Sequence, residues 1–163
     1  MAEQTQLVEN LKATIEVYLQ TAMAAASPAI SINFEGATFD DDGIDEWIVP
    51  RYGGNVHNFQ RQTRSNTHLG SILEILYHVN CYVKTIESTN IHRHAEIRDI
   101  VAEALPINQR ITVMNYAVDG LSTVGSMQVT NIITDRSIPE DDGVIGWAYS
   151  ITFDFLYEYL EPN

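Results

Sequence analysis

The chain has 163 residues, 45% of them hydrophobic, and 22 acids against 9 bases give a formal net charge of −13. Length and apolar content predict a single folded domain spanning 1–163, and no run of about eighteen apolar residues is present to cross a membrane as a helix. The acid excess argues against a general nucleic-acid binder, whose grip on phosphate rests on Lys and Arg. One cysteine, Cys81, rules out an internal disulfide, and its apolar setting predicts a buried, inert thiol. The opening stretch "MAEQTQLVENLK" lacks the basic start and apolar run of a secretory signal, so synthesis in the cytoplasm is expected.

Residues 3–26 predict a helix, because Leu7, Leu11, Ile15, Tyr18 and Ala22 recur at three- and four-residue spacing. Ser27-Pro28 ends it, since the residue before proline avoids the helical region. In "AISINFEG", Ile30, Ile32 and Phe34 alternate with Ser31, Asn33 and Glu35, which predicts a strand. "ATFDDDGIDE" reads as an acidic turn, and "EWIVPRY" as a short edge strand able to hold Pro50. Residues 50–68 show no period and are expected to form a long loop or an irregular hairpin.

A long strand follows: Leu69, Ser71, Leu73, Ile75, Tyr77, Val79, Cys81 and Val83 alternate with Glu74, His78, Asn80 and Lys84. Asn90 to Leu105 reads as a helix, capped by Thr89 or Asn90, lined by Ile97, Val101 and Ala104, and closed by Pro106. "RITVMNYAV" and "SMQVTNIITD" are strands on either side of the turn "DGLSTVGS". "RSIPEDDG" then leads through a hairpin into the last strand.

That last strand has one heavy face: Ile145, Trp147, Tyr149, Ile151, Phe153, Phe155, Tyr157 and Tyr159 are every second residue. It can run for about fifteen residues, roughly 50 Å, where five or six residues are usual. Such a strand must bend or reach another chain. Trp147, Tyr149, Phe153 and Phe155 are expected to form the core aromatic strand. The order of elements predicts an α+β fold, a mostly antiparallel sheet with long strands and two helices packed on one face.

Chemical signatures are scarce. The sequence has no nucleophile elbow, phosphate-binding loop, dinucleotide fingerprint, HExxH or CxxC. Asp40, Asp42 and Gly43 fit the third, fifth and sixth places of a calcium loop, but the twelfth is Val49 instead of a bidentate glutamate. His92 and His94 stand two apart and point in different directions, as helix-surface residues do. His92 and Glu96 share a face without a third ligand, and His57, His68 and His78 are scattered. No catalytic residue, metal or cofactor is therefore expected. The readings of another class are a metal-dependent enzyme using His92 and Glu96, or a small ligand-binding α+β domain whose aromatic strand lines a pocket.

Charge is more informative. Arg51, Arg61 and Arg64, three of the nine bases, lie in a span from Pro50 to Leu73 that has no acid. Six acids lie between Glu35 and Glu46: Glu35, Asp40, Asp41, Asp42, Asp45 and Glu46. A basic arm beside an acidic turn is self-complementary between neighbouring copies in a head-to-tail ring. Arg51, Arg61, Arg64, Asp40, Asp41 and Asp42 are the candidate interface residues.

The succession of an N-terminal helix, "EWIVPRY", a basic glycine-containing loop, "HLGSILEILYHVNCYVKT", "NIHRHAEIRDIVAEAL" and the terminal "GWAYSITFDFLYEYL" resembles the tail terminator (tail completion) proteins of long-tailed bacteriophages. The resemblance covers most of the chain and rests on order and texture. Where the family often has a glycine-rich stretch before the second helix, this chain has "IESTN". Neck and head-tail connector subunits share similar textures. The resemblance implies a structural virion protein without enzyme activity. It would form a homo-oligomeric ring, as a hexamer, at the head-proximal end of the tail after assembly in the host cytoplasm. It would cap the tail tube, end tube polymerisation and meet a neck or head-completion protein. DNA would pass through the ring without specific binding.

Overall fold

The computed structural model describes residues 3–64, 68–84, 91–116, 122–138 and 147–162, with side chains at 8–54, 72–84, 91–116, 122–137 and 147–158. α1 (Glu3–Ala25) is followed by β1 (Ser31–Ile32), β2 (Glu46–Arg64), β3 (His68–Val83), α2 (Arg93–Ala104), β4 (Arg110–Asn115), β5 (Ser122–Ile138) and β6 (Trp147–Pro162). The strands form one sheet in the order β1-β2-β3-β6-β5-β4. β1 runs parallel to β2, and the other neighbours are antiparallel. This is the expected α+β fold with a mostly antiparallel sheet.

The length of β6 has an internal reason. Each residue from Trp147 to Pro162 has a partner on β3, running from Val83 back to His68. On its other side β5 pairs with it between Gly125 and Ile138. The last strand is therefore central, and its backbone needs no second chain. Of the two expectations, it is bending that the ladder accommodates. β5 shifts register at Val129/Asn131 and again at Ile132/Thr134, and such bulges bend and twist a sheet.

The heavy face of β6 is core. Ile151, Phe153, Phe155 and Tyr157 are buried, opposite Val79, Tyr77, Ile75 and Leu73 of β3. The Tyr77 and Phe155 rings meet edge to face, centroids 6.4 Å apart. Met127 and Val129 of β5 extend this floor, and Ile111 and Val113 of β4 complete it. Leu11, Ile15, Leu19 and Met23 of α1 lie in the same core, as do Ile97 and Val101 of α2 and the Leu105 that follows it. The α1 stripe thus continues at strict four-residue steps through Leu19 and Met23. Tyr18, expected on that stripe, is exposed. Trp147, expected in the core, is 46% exposed, because it stands at the first residue of β6 where the apolar floor ends. Ile145 lies outside the described residues. Cys81 is buried as expected, and burial pushes its thiol up to about 12.

Residues 50–68 take the hairpin reading and not the loop. β2 runs on to Arg64 and pairs with β3 as far as Leu69. Register shifts at Tyr52/Gly54, Asn55/His57 and Phe59/Thr63 explain the missing period, since each inserted residue swaps the faces of all that follow. Gly53 is required here. A Cβ on it would sit 2.4 Å from His78 Nε2, so the His78 ring lies directly over its backbone. The stretch around Ile30 shortens to the two residues of β1, plus one bond from the Asn33 N–H to the Ile48 carbonyl. Pro50 sits just beyond that contact, where the outer side of β2 has no strand to donate to.

The other edge of the sheet is covered by α1. The Tyr116 N–H donates to Asn10 Oδ1 at 2.9 Å, and the Met114 N–H points to Thr14 Oγ1 at 3.4 Å. Asn10 and Thr14 are the buried polar residues of α1 among the described side chains, and they satisfy backbone donors that β5 does not reach.

Phe153→Ala is expected to cost about 3–5 kcal/mol, the usual loss for a truncated buried aromatic. Urea denaturation checks it; a shift of a few tenths of a kcal/mol would mean that β6 does not bury this face.

Candidate interaction surfaces

The acidic turn is held by cations from three other elements. Lys12 of α1 meets Glu35 at 2.6 Å, and its hydrogen bond lowers the Glu35 carboxyl below the usual range. Arg51 and the Tyr52 backbone amide add to that effect. Lys84, just past β3, reaches the Asp41 carbonyl at 3.0 Å and its carboxylate at 3.4 Å. Arg93 at the start of α2 forks onto Glu46, with Nε–Oε1 at 2.7 Å and Nη2–Oε2 at 2.8 Å. This two-pronged pair is mostly shielded from solvent and ties α2 to the start of β2. Arg93 also reaches Glu96, which places Glu96 in an ion pair. The Asp42 N–H closes the turn on Asp40 Oδ1 at 3.0 Å, and Gly43 takes the left-handed conformation at φ 74°.

The six acids therefore divide. Glu35, Asp41 and Glu46 are paired within the chain, while Asp40, Asp42 and Asp45 are exposed and meet no cation among the described residues. Beside them an open cleft of about 860 Å³ is lined by Pro28, Ile44, Asp45, Glu46, Arg93 and Glu96. Its one cation, Arg93, is already committed to carboxylates.

The arginines divide as well. Arg51 donates to the carbonyls of Asn33 at 2.9 Å and Pro50 at 2.7 Å, fastening the β1 edge. It sits in the half of β2 nearest the acidic turn. Arg61 and Arg64 belong to the far end of the same strand, where Arg64 stands opposite Leu69. β2 thus keeps Arg51 near the acidic turn and carries the backbone of Arg61 and Arg64 to its other end.

The helix-free face of the sheet carries the residues that alternate with the core. Trp47 and Tyr82 stack there at 5.3 Å with 13° between the rings, and Phe39 tilts against Trp47 at 6.2 Å. His78 Nδ1 and Thr152 Oγ1 share a hydrogen bond of 2.8 Å. Further along, Asp154 has its carboxyl pushed above the usual range, first by burial and then by the charge of Glu74. Its Oδ1 is buried without a hydrogen-bond partner among the described residues.

On the helix side, His94 is not a surface histidine. It is 8% exposed, wedged against Trp147 and Tyr149 with ring centroids 6.0 and 6.2 Å away. Burial lowers its pKa, with the nearby His92 adding to the effect. α2 begins at Arg93, which puts His94 in its first turn facing inward. Thr89 and Asn90, the expected caps, lie outside the described residues. Among the described residues, no three His, Cys, Asp or Glu side chains converge as metal ligands.

No family model matches the chain, and no curated protein matches it. One solved structure, whose name states no function, is similar over 91% of this chain and 94% of its own, with a TM-score of 0.57 at 11% identity. At that identity the likeness is one of fold.

Asp154 gives a pH-dependent test. Its folded pKa is raised, so the native state holds a proton that the unfolded chain releases near the ordinary value of about 3.8. Its contribution is favourable at low pH and is lost as pH rises through the folded pKa. Asp154→Asn is therefore expected to raise the melting temperature at pH 7, the gain shrinking below about pH 4. Thermal melts at both pH values check this; equal melting temperatures at pH 7 would count against it.

Proposed function

We propose that this protein is a structural subunit of a bacteriophage tail terminator, forming a ring that caps the tail tube. Its partners are then further copies of itself, the tail tube protein, and a neck or head-completion protein. Six copies make the ring. It acts by shape: seated on the end of the tube, it offers incoming tube subunits no matching surface, and growth stops. DNA moves through the centre, and a net charge of −13 favours passage without adhesion.

The observation that carries the reading is the central slab of long strands. β2, β3, β5 and β6 have 19, 16, 17 and 16 residues, and they follow one another in the sheet with a helical layer on one side. Such a slab supplies a stiff wall with a whole face and long ends available to other chains. The order of segments resembling the terminator family supports the same reading.

Negative-stain images of the purified protein mixed with tail tubes test it. Tubes capped at one end and held at uniform length are expected. Free, uncapped tubes that keep growing in its presence would overturn the proposal.

A further inference from the structure

We infer that copies of this chain stack face to back, the outer side of the second half of α1 in one copy seating on the helix-free face of the sheet in the next. The inference deepens the ring reading above and rests on it for closure into a ring; the contact itself stands on exposure, charge and dimensions.

Charged residues make up 19% of the chain, yet none occurs from Val17 to Phe34. That gap is not a buried one. Leu19 and Met23 face the core, while Val17 is 44% and Tyr18 36% exposed, and Thr21, Ala24 and Ala25 are exposed beside them. The solvent side of a helix is where charged residues ordinarily sit, the more so in a chain of net charge −13. Here it offers two large apolar side chains next to small ones that let another surface come close. The sheet has the matching surface. α1 and α2 pack on one of its faces, and on the other Trp47 stacks on Tyr82. The next rung on that side is Val49, Asn80, Ser150 and Arg136. Asp135 meets Arg98 of α2, so Arg136 beside it points to the helix-free side. Arg136 is exposed and meets no carboxylate among the described residues. The acids of this face, Glu74 and Asp154, lie further along the strands.

The two surfaces agree in size and in sign. The four strands from β2 to β5 span about 14 Å at a spacing of about 4.8 Å. Val17 to Ala25 rises about 12 Å at about 1.5 Å per residue. α1 has no basic residue in its last turn, so its own chain leaves the partial negative charge of the helix C-terminus unopposed there. Laid across the strands, Val17 and Tyr18 reach the Trp47–Tyr82 pair at the β2 side, and the end of α1 reaches Arg136 at the β5 side. The bare face of the sheet then receives a helix, as its other face already does. The contact is between two different patches of one surface, the arrangement that generates rings when the rotation closes. One helix segment makes a small contact, of the weak class, so a covalent trap is the suitable probe.

Cysteine cross-linking of the full chain tests it, free and on tail tubes, because Cys81 is buried and stays silent. Ala24→Cys protein is mixed with Ser150→Cys protein under mild oxidation. A disulfide-linked dimer is expected in the mixture and in neither variant alone. Dimers in Ala24→Cys alone would set helix against helix, dimers in Ser150→Cys alone would set sheet against sheet, and either result overturns the inference. A mixture without the cross-link, both free and on tubes, overturns it as well. Val17→Glu with Tyr18→Glu, added to the Ala24→Cys partner, should lower the yield about tenfold or more, as expected when one large apolar side chain is kept out of a contact. Arg136→Glu in the Ser150→Cys partner should lower it too. Circular dichroism establishes that the variants are folded; should the glutamate pair misfold, Val17→Gln with Tyr18→Gln replaces it. An undiminished yield from the folded variant pair counts as refutation. Wild type that caps tubes while the mixture stays uncross-linked would overturn this contact and leave the terminator reading standing. The cross-link without capping would do the reverse.

Discussion

The whole architecture depends on β6 being paired along both sides. A strand with aromatic and branched residues at every second position has to hide one face, and a long one has to hide a great deal. Flanked by β3 over its entire length and by β5 over most of it, β6 becomes the middle of a broad apolar floor. α1 and α2 lie on that floor because it is the one place where Leu11, Ile15, Leu19, Met23, Ile97 and Val101 can all leave water together. Where the floor ends, at Trp147, His94 from the first turn of α2 packs against the ring and fills the corner.

With one face committed to helices, polar residues concentrate on the other and at the ends. The helix-free face holds both a tightly matched pair, His78 with Thr152, and a mismatched one, Asp154 beside Glu74. The acidic turn is similarly mixed. Half of its carboxylates act as clamps that bind α1, the end of β3 and α2 to the start of β2. The remaining half meets no cation among the described residues. Stability and surface charge are thus carried by different members of one cluster, which net charge alone cannot reveal.

Much of this was legible in the residues. Period two announced β3 and β6 and the buried faces of both, and four-residue spacing announced α1. The class of fold followed from their order. What escaped was set by partners far away in sequence. β2 has three bulges, so its period is broken and it reads as a loop, although β3 holds it in the sheet. His94 looks like a helix-surface residue until Trp147 and Tyr149 are brought over it from β6. Trp147 obeys the alternation but stands at the first residue of β6, where His94 covers it only in part. The candidate interface was read as a basic arm and an acidic turn that follow one another in sequence. It is the pairing of β2 with β3 along its length that carries the backbone of Arg61 and Arg64 to the other end of the strand. Which acids are spoken for also depended on Lys12, Lys84 and Arg93, none of them neighbours in the chain.

The capping of β4 by α1 has a consequence for growth. A sheet can polymerise edge to edge only when both its borders accept a strand, because each addition must leave a fresh border for the next. Here the Met114 N–H near the end of the six-residue border strand meets Thr14, and the Tyr116 N–H just past it meets Asn10. The stretch that remains is shorter than an ordinary strand. The opposite border is interrupted by Pro50 and by the bulges of β2. Strand addition there would meet its limit after one partner, so this sheet has a built-in stop against fibre formation. Any larger assembly of the molecule is left to side chains and their charges, which unlike backbone edges can dictate how many copies belong together.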